Sequence, residues 1–239
     1  MAYQAVFQRY ELKYMLTFRQ KERILKAMAP YMALDSYGRT LIRNLYFDTD
    51  TYRLIRRSIE KPAYKEKLRI RSYAKANTDT KVFVELKKKY ESLVSKRRLS
   101  MPESQAMDWL CGGGDCGHRM QIAREIDYFR TYYGNLRPVV FLSYGREAYY
   151  TYRGDDFRVT FDDQMLCRQE DLSLCADVWG TPLLGEDQVL MEIKCSGAIP
   201  LWMVHTLSEE RIYKTFFSKY GKAYETMIFP RITGGYKYA

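Results

Sequence analysis

Residues 65–71 read Lys-Glu-Lys-Leu-Arg-Ile-Arg. Side chains two apart on a strand share a face. As a strand, this run puts Lys65, Lys67, Arg69 and Arg71 on one side. Glu66, Leu68, Ile70 and Ser72 fall on the other. Such a strand must bury an apolar face while its opposite face carries an unbroken row of positive charge.

The same alternation recurs along the chain. Arg9, Glu11 and Lys13 share a face, as do Lys96 and Arg98. Glu85 and Lys87 share one backed by Val82, Val84 and Leu86. Arg158, Thr160 and Asp162 share one backed by Val159 and Phe161; Glu192 and Lys194 share one backed by Met191, Ile193 and Cys195. Arg146 closes the apolar run Val139-Val140-Phe141-Leu142. Each polar face read singly is the solvated side of a strand. Read together, they are strongly cationic, with isolated carboxylates. About eight strands, with helices inserted between them, predict an α+β fold. The pattern centres on an antiparallel sheet or barrel, with residues 1–239 as one domain; if the strands close with their charged faces inward, the lumen becomes a cationic tunnel and helices cover the apolar outside.

Strands are expected near residues 5–14, 41–47, 63–74, 80–90, 92–99, 138–151, 156–163 and 187–195. Helices are expected from a Thr17 cap to Tyr31, over 51–60, from Pro102 to Leu110, and over 117–133, 200–208 and 209–227.

Charge is uneven. Residues 1–100 hold 24 Lys/Arg and 10 Asp/Glu, a net of +14, and the remainder holds 15 and 19, a net of −4. This points to a polyanionic partner held mainly by the first half. The 22 tyrosines interleaved with basic residues would suit nucleic acid. Glu11, Glu85, Asp162 and Glu192 on the basic faces disfavour it, because carboxylates repel phosphates unless a divalent metal bridges them. A phosphate chain with a metal is the better match.

Other chemistries are excluded or weakened. His118 and His205 are the only histidines, which disfavours a His base or a His-ligated metal. Five scattered cysteines make a poor disulfide framework. Cys111 and Cys116 flank a glycine run without the second ligand pair of a zinc site. No stretch approaches the roughly 18–20 apolar residues of a membrane span. The N-terminus lacks the look of a signal peptide, so a cytoplasmic protein is expected.

The chain resembles a VTC-type polyphosphate polymerase domain of the triphosphate tunnel metalloenzyme (CYTH-like) superfamily. The resemblance runs from about Arg9 to Met227. Its carriers are Arg9-Tyr10-Glu11-Leu12-Lys13-Tyr14, Asn44-Leu45-Tyr46-Phe47-Asp48, Lys67-Leu68-Arg69-Ile70-Arg71 and Phe83-Val84-Glu85-Leu86-Lys87. Ser95-Lys96-Arg97, Phe157 to Asp162, Met191-Glu192-Ile193-Lys194 and Phe217-Ser218-Lys219-Tyr220 complete them.

That resemblance implies an eight-stranded antiparallel β-barrel tunnel with a polar, cationic lumen and helices packed outside. It also implies a polyphosphate polymerase, which moves the terminal phosphoryl group of ATP onto phosphate or polyphosphate. The alternatives are a metal-dependent triphosphatase or a non-catalytic polyphosphate- or nucleic-acid-binding module. Arg69, Arg71, Lys87, Arg146 and Arg158 are implied as catalytic phosphate clamps. Lys13, Lys67, Lys96, Arg98, Lys194, Ser218 and Lys219 are implied substrate contacts. Glu192 is the principal metal ligand, with Glu85 and Glu11 in support, for Mn2+ or Mg2+. A membrane-protein partner for the product stays open. Arg9 stands where the wider superfamily often has the first Glu of Glu-x-Glu-x-Lys, which favours the polymerase-like branch. Phe216 stands where the polymerase pattern carries a basic residue, with Lys214 nearby.

Overall fold

The computed structural model describes residues 10–91, 93–117 and 120–234, with only the backbone at Leu93. Arg9 and His118 lie outside the described residues. The chain divides into two compact units. The first comprises residues 10–40, Tyr144–Met165 and Leu184–Phe217, and the second Leu41–Ser143, Leu166–Leu183 and residues 218–234.

In chain order the strands are β1 (Tyr10–Leu16), β2 (Met32–Leu34), β3 (Thr40–Asp48), β4 (Tyr64–Ser72), β5 (Lys81–Tyr90) and β6 (Leu93–Pro102). Then come β7 (Arg137–Thr151), β8 (Arg158–Arg168), β9 (Thr181–Pro182) and β10 (Val189–Cys195). The helices are α1 (Phe18–Met28), α2 (Arg53–Ile59), α3 (Glu103–Met107), α4 (Gln121–Tyr133), α5 (Leu201–Glu209), α6 (Lys219–Ala223) and α7 (Phe229–Ile232). None of the described helices is long and apolar enough to cross a membrane.

The expected closed barrel does not form. The sheet has ten strands, and its hydrogen-bonded path runs β1-β10-β8-β7-β3-β4-β5-β6, with β2 on β7 and β9 on β8. Its terminal strands do not pair with each other. The reason is visible at both. One edge of β1 pairs with β10. Its other edge is taken by the chain at 214–215: Tyr14 bridges Lys214, and the Thr215 N–H donates to the Lys13 carbonyl at 2.7 Å. At the far end, β6 carries Lys96-Arg97-Arg98, and charge of this kind keeps a sheet edge from further pairing.

In the first unit, α1 starts where the sequence places it. Thr17 Oγ1 accepts from the Gln20 N–H at 3.1 Å, and Gln20 Oε1 accepts from the Thr17 N–H at 3.0 Å. This reciprocal cap satisfies two otherwise orphaned donors. Ile24 and Met28 of α1 and Met203 and Leu207 of α5 pack onto the apolar face built by Tyr14, Leu16, Val159, Phe161, Met191 and Ile193. The helix expected over 209–227 is a second departure. α5 stops at Glu209, and Arg211 takes the left-handed conformation at φ 51°. The Ile212 N–H returns to the Leu207 carbonyl at 2.8 Å, and helix resumes only at Lys219.

In the second unit, Leu68, Ile70, Val82, Val84, Leu86, Leu99 and Met101 form the apolar face of β4–β6. It is covered by Ala106 of α3, by Trp109 in the π-helical turn that follows, and by Ala123, Ile126 and Phe129 of α4. The alternation read in residues 65–71 and 82–87 therefore holds for Leu68, Ile70, Val82, Val84 and Leu86 against Lys67, Arg69, Arg71, Glu85 and Lys87, with Glu66 on the helix side bonded to Tyr133 of α4.

Adjacent residues of β5 give the test. Leu86 is fully buried, and Leu86→Ala should cost about 2–5 kcal/mol in denaturant unfolding. Lys87→Ala, one residue on and facing the other way, should leave stability within about 0.5 kcal/mol.

Candidate functional site

In the second unit, register turns the single charged faces into rows. Tyr46 of β3 lies opposite Arg69 of β4, Arg69 opposite Glu85 of β5, and Glu85 opposite Arg98 of β6. Two residues along, Lys67, Lys87 and Lys96 stand opposite one another on β4, β5 and β6. In the other direction Asn44, Arg71, Phe83 and Ser100 form the next row.

Glu85 organises these rows. It is 1% exposed. Its Oε2 accepts from Arg69 Nε at 2.8 Å and pairs with Arg69 Nη2 at 2.7 Å and Arg71 Nε at 3.8 Å. Its Oε1 accepts from Arg98 Nε at 2.7 Å and Lys96 Nζ at 3.2 Å, and also takes Arg98 Nη2. Burial pushes the Glu85 carboxyl up, but Arg69, Arg71, Lys96 and Arg98 together hold it well below the usual carboxylate range. Four cations around one carboxylate leave three positive charges in surplus. Burial pushes the Lys96 ammonium down, and the neighbouring Arg98 and Arg71 act the same way.

Neutral groups aim the guanidinium groups. Arg69 Nη1 donates to Tyr46 OH at 2.9 Å, and Arg71 Nε to Asn44 Oδ1 at 3.0 Å. Arg98 lies 4.5 Å from the centre of the Phe83 ring and donates to Tyr73 OH at 3.1 Å. Beyond the lysine row, Lys67 Nζ donates to Ser218 Oγ at 2.8 Å, and Lys219, which follows, is buried. Ser218 caps α6, accepting from the Gly221 N–H at 3.1 Å.

In the first unit the charges alternate in sign. Lys13 lies opposite Glu192, and Glu192 opposite Thr160; Glu11 lies opposite Lys194, and Lys194 opposite Arg158. Lys13 Nζ is 3.4 Å from a carboxylate oxygen of both Glu11 and Glu192 and donates to the Phe217 carbonyl at 2.9 Å. Arg146 grips Asp162 through Nε and Nη2, each at 2.6 Å, and reaches Glu192 Oε2 at 3.5 Å. Burial pushes Arg146 down, but Asp162, with Tyr144 and Glu192, holds it well above its ordinary value. Lys194 Nζ lies 3.8 Å from Glu192. Arg158 stacks 4.2 Å from the centre of the Tyr150 ring and donates to its hydroxyl.

The expected residues thus gather into two groups, one in each unit. Lys67, Arg69, Arg71, Glu85, Lys87, Lys96, Arg98, Ser218 and Lys219 belong to the second; Glu11, Lys13, Arg146, Arg158, Glu192 and Lys194 belong to the first. Sequence reasoning offers Tyr46 and Tyr73 only as surfaces for stacking a base and Asp162 only as a carboxylate on a charged face, and it misses Tyr150 and the bond of Asn44 to Arg71. Their signal is the cross-strand or side-chain partner, which residue order along one strand does not carry.

Among the described residues, no group of three or more His, Cys, Asp and Glu stands together as a metal cage. A hard divalent cation such as Mg2+ is usually held by one or two carboxylates, with water and substrate phosphates completing its shell. Glu11 and Glu192, each already beside the Lys13 ammonium, fit that smaller requirement. Glu85, enclosed by four cations, fits the role of guanidinium anchor better.

A family model described as the VTC domain matches residues 8–228. No curated protein matches the chain. A solved structure from Bacillus halodurans, provisionally named an adenylate cyclase, is 14% identical with a TM-score of 0.55, over 93% of this chain and 97% of that one. A Hippeastrum protein, provisionally named an adenylyl cyclase and described as having a dominant triphosphatase activity, is 15% identical with a TM-score of 0.51. That match covers 95% of this chain and 96% of that one. These two likenesses show a shared fold.

Removing the Glu85 charge strands its cations. Glu85→Gln should destabilise the fold by about 3–5 kcal/mol in denaturant unfolding. Because the folded carboxyl is held below its ordinary value of 4.5, its contribution is complete above that pH and is lost as pH falls. Wild-type stability should therefore drop below about pH 4.5 by up to about 1.4 kcal/mol per pH unit relative to Glu85→Gln.

Proposed function

The chain belongs to the VTC domain family, in the CYTH-like triphosphate-tunnel superfamily, and from that premise we propose that it is a metal-dependent phosphoryl-transfer enzyme. It cleaves the terminal phosphoanhydride of a nucleoside triphosphate such as ATP, with water as acceptor. The observation that carries this reading is the pair of adjacent rows on β4–β6: Arg69-Glu85-Arg98 beside Lys67-Lys87-Lys96. Like charges directly opposite across strands destabilise a sheet. Three lysines in one row make sense as a cradle for a polyanion.

The chemistry asks for no covalent nucleophile. Phosphoryl transfer depends on in-line positioning and on neutralising charge as it spreads over the transferring group. Arg69 and Arg71 present planar forks able to grip phosphate oxygens in pairs, which a lysine cannot do. Glu85, Tyr46 and Asn44 hold those forks in place before substrate arrives, so their orientation is not lost entropy at the moment of binding. Lys67, Lys87 and Lys96 supply point charges. In the first unit, Arg146, Arg158, Lys13 and Lys194 form a separate cationic set around Glu11, Asp162 and Glu192. Glu192 and Glu11 would hold Mn2+ or Mg2+, and the bound cation supplies charge neutralisation for the phosphate oxygens.

A second reading is polyphosphate polymerisation, with a phosphate oxygen replacing water as acceptor. It is favoured by Ser218 and Lys219, which carry the polar path beyond the lysine row through the Lys67–Ser218 bond. Phe216 weighs toward water. It is 86% exposed and stands where the polymerase pattern carries a basic residue to grip the product.

Incubation with ATP and Mn2+ separates the two. ADP with orthophosphate supports the triphosphatase reading, ADP with long-chain polyphosphate the polymerase, and no turnover overturns both. Arg69→Lys keeps the charge and loses the fork, and kcat/KM should fall about ten- to hundredfold.

A further inference from the structure

A buried hydroxyl costs folding free energy unless it is hydrogen-bonded. Thr160 is 5% exposed, and its Oγ1 has no hydrogen-bond partner in the structure. Its position makes that informative. It lies opposite Glu192 in the β10–β8 register, and directly opposed residues project from the same face. Lys13, opposite Glu192 from the other side, continues the same row. Arg158 and Asp162, two residues to either side on β8, share the face.

Its neighbours are already engaged. Asp162 is gripped twice by Arg146, and Glu192 is within reach of Lys13, Arg146 and Lys194. Valine would fill the same space, suit a strand equally well and bury no polar atom. A hydroxyl at this point fits a partner that is not part of the protein.

We propose that Thr160 Oγ1 accepts a hydrogen bond from a water molecule on the divalent cation held by Glu192, and so positions that cation. Water bound to a divalent cation has given one lone pair to the metal, which makes it a strong donor and a poor acceptor. It needs oxygen acceptors nearby, and a hydroxyl accepts without adding another negative charge beside the phosphates. Thr160 is a positioning residue in this scheme, and the assignment rests on the metal-dependent reading above.

The test titrates Mn2+ calorimetrically into full-length wild type, Thr160→Val, Thr160→Ser and Glu192→Gln, and measures the Tm of each without metal. Loss of such a contact should weaken Mn2+ binding about tenfold or more in Thr160→Val, and Thr160→Ser should restore it. The metal-free Tm of Thr160→Val should equal or exceed that of wild type, because an unsatisfied hydroxyl has gone. Wild-type Mn2+ affinity in Thr160→Val, with weakened binding in Glu192→Gln, overturns the Thr160 assignment alone. A lowered metal-free Tm in Thr160→Val marks a structural role and also overturns it. If wild type binds no Mn2+, or Glu192→Gln binds it equally well, the metal reading falls and Thr160 with it.

Discussion

A carboxylate taken out of water needs charge and hydrogen bonds at both oxygens, and on β5 Glu85 meets that need with Arg69, Arg71, Lys96 and Arg98. The partners come from both neighbouring strands. A slip of either by one residue would carry its two cations to the apolar face and leave Glu85 buried with half its partners. The interaction therefore fixes the register of β4, β5 and β6 as firmly as the leucines and valines beneath them. It also fixes the direction in which the guanidinium groups point. Since the cage holds more positive charge than its single carboxylate cancels, the order it imposes stays available to an anion from outside.

The two units treat charge differently. In the first, Glu11, Asp162 and Glu192 alternate with Lys13, Arg146 and Lys194, so each carboxylate has a cation within reach. Such a network is close to self-sufficient and favours cations as well as anions. In the second, the row Lys67-Lys87-Lys96 contains no acid. One arrangement mixes acids with cations, and the other is a row of like charge. The +14 of residues 1–100 does not map onto this division, because those residues include β1 and α1 of the first unit as well as β4–β6 of the second.

Strand parity makes the two faces of each strand legible in the sequence. Leu68 and Ile70 alternating with Lys67, Arg69 and Arg71 can be sorted from residue order alone, and so can the Thr17 cap of α1. Closure is not legible there, because parity describes one strand at a time and a barrel depends on whether the first strand meets the last. What decides it is a segment whose periodicity is that of a helix: Thr215 and Lys214 lie along β1 and occupy its open edge. Periodicity misleads over residues 209–227 because Arg211 turns left-handed and the chain beyond it gains backbone bonds from β1. That Tyr46 holds Arg69 and Asn44 holds Arg71 escapes sequence reading for the related reason that register is a long-range property. The two-residue strand β9 is too short to leave a pattern.

The lysine row also bears on why such a sheet is kept. Opposed lysines oppose folding, and nothing about the apolar face of β4–β6 requires them. Neutral residues at 67, 87 and 96 would leave Leu68, Leu86 and the helices beneath undisturbed. Lys96 serves Glu85 and Lys67 serves Ser218 in the empty protein, and a bound polyanion relieves the repulsion across the row further. A polyanion that binds only the folded chain stabilises it in proportion to the logarithm of its concentration over its dissociation constant. The repulsion built into the sheet and the attraction offered to a phosphate chain are the same electrostatic energy, with its sign set by whether the chain is present.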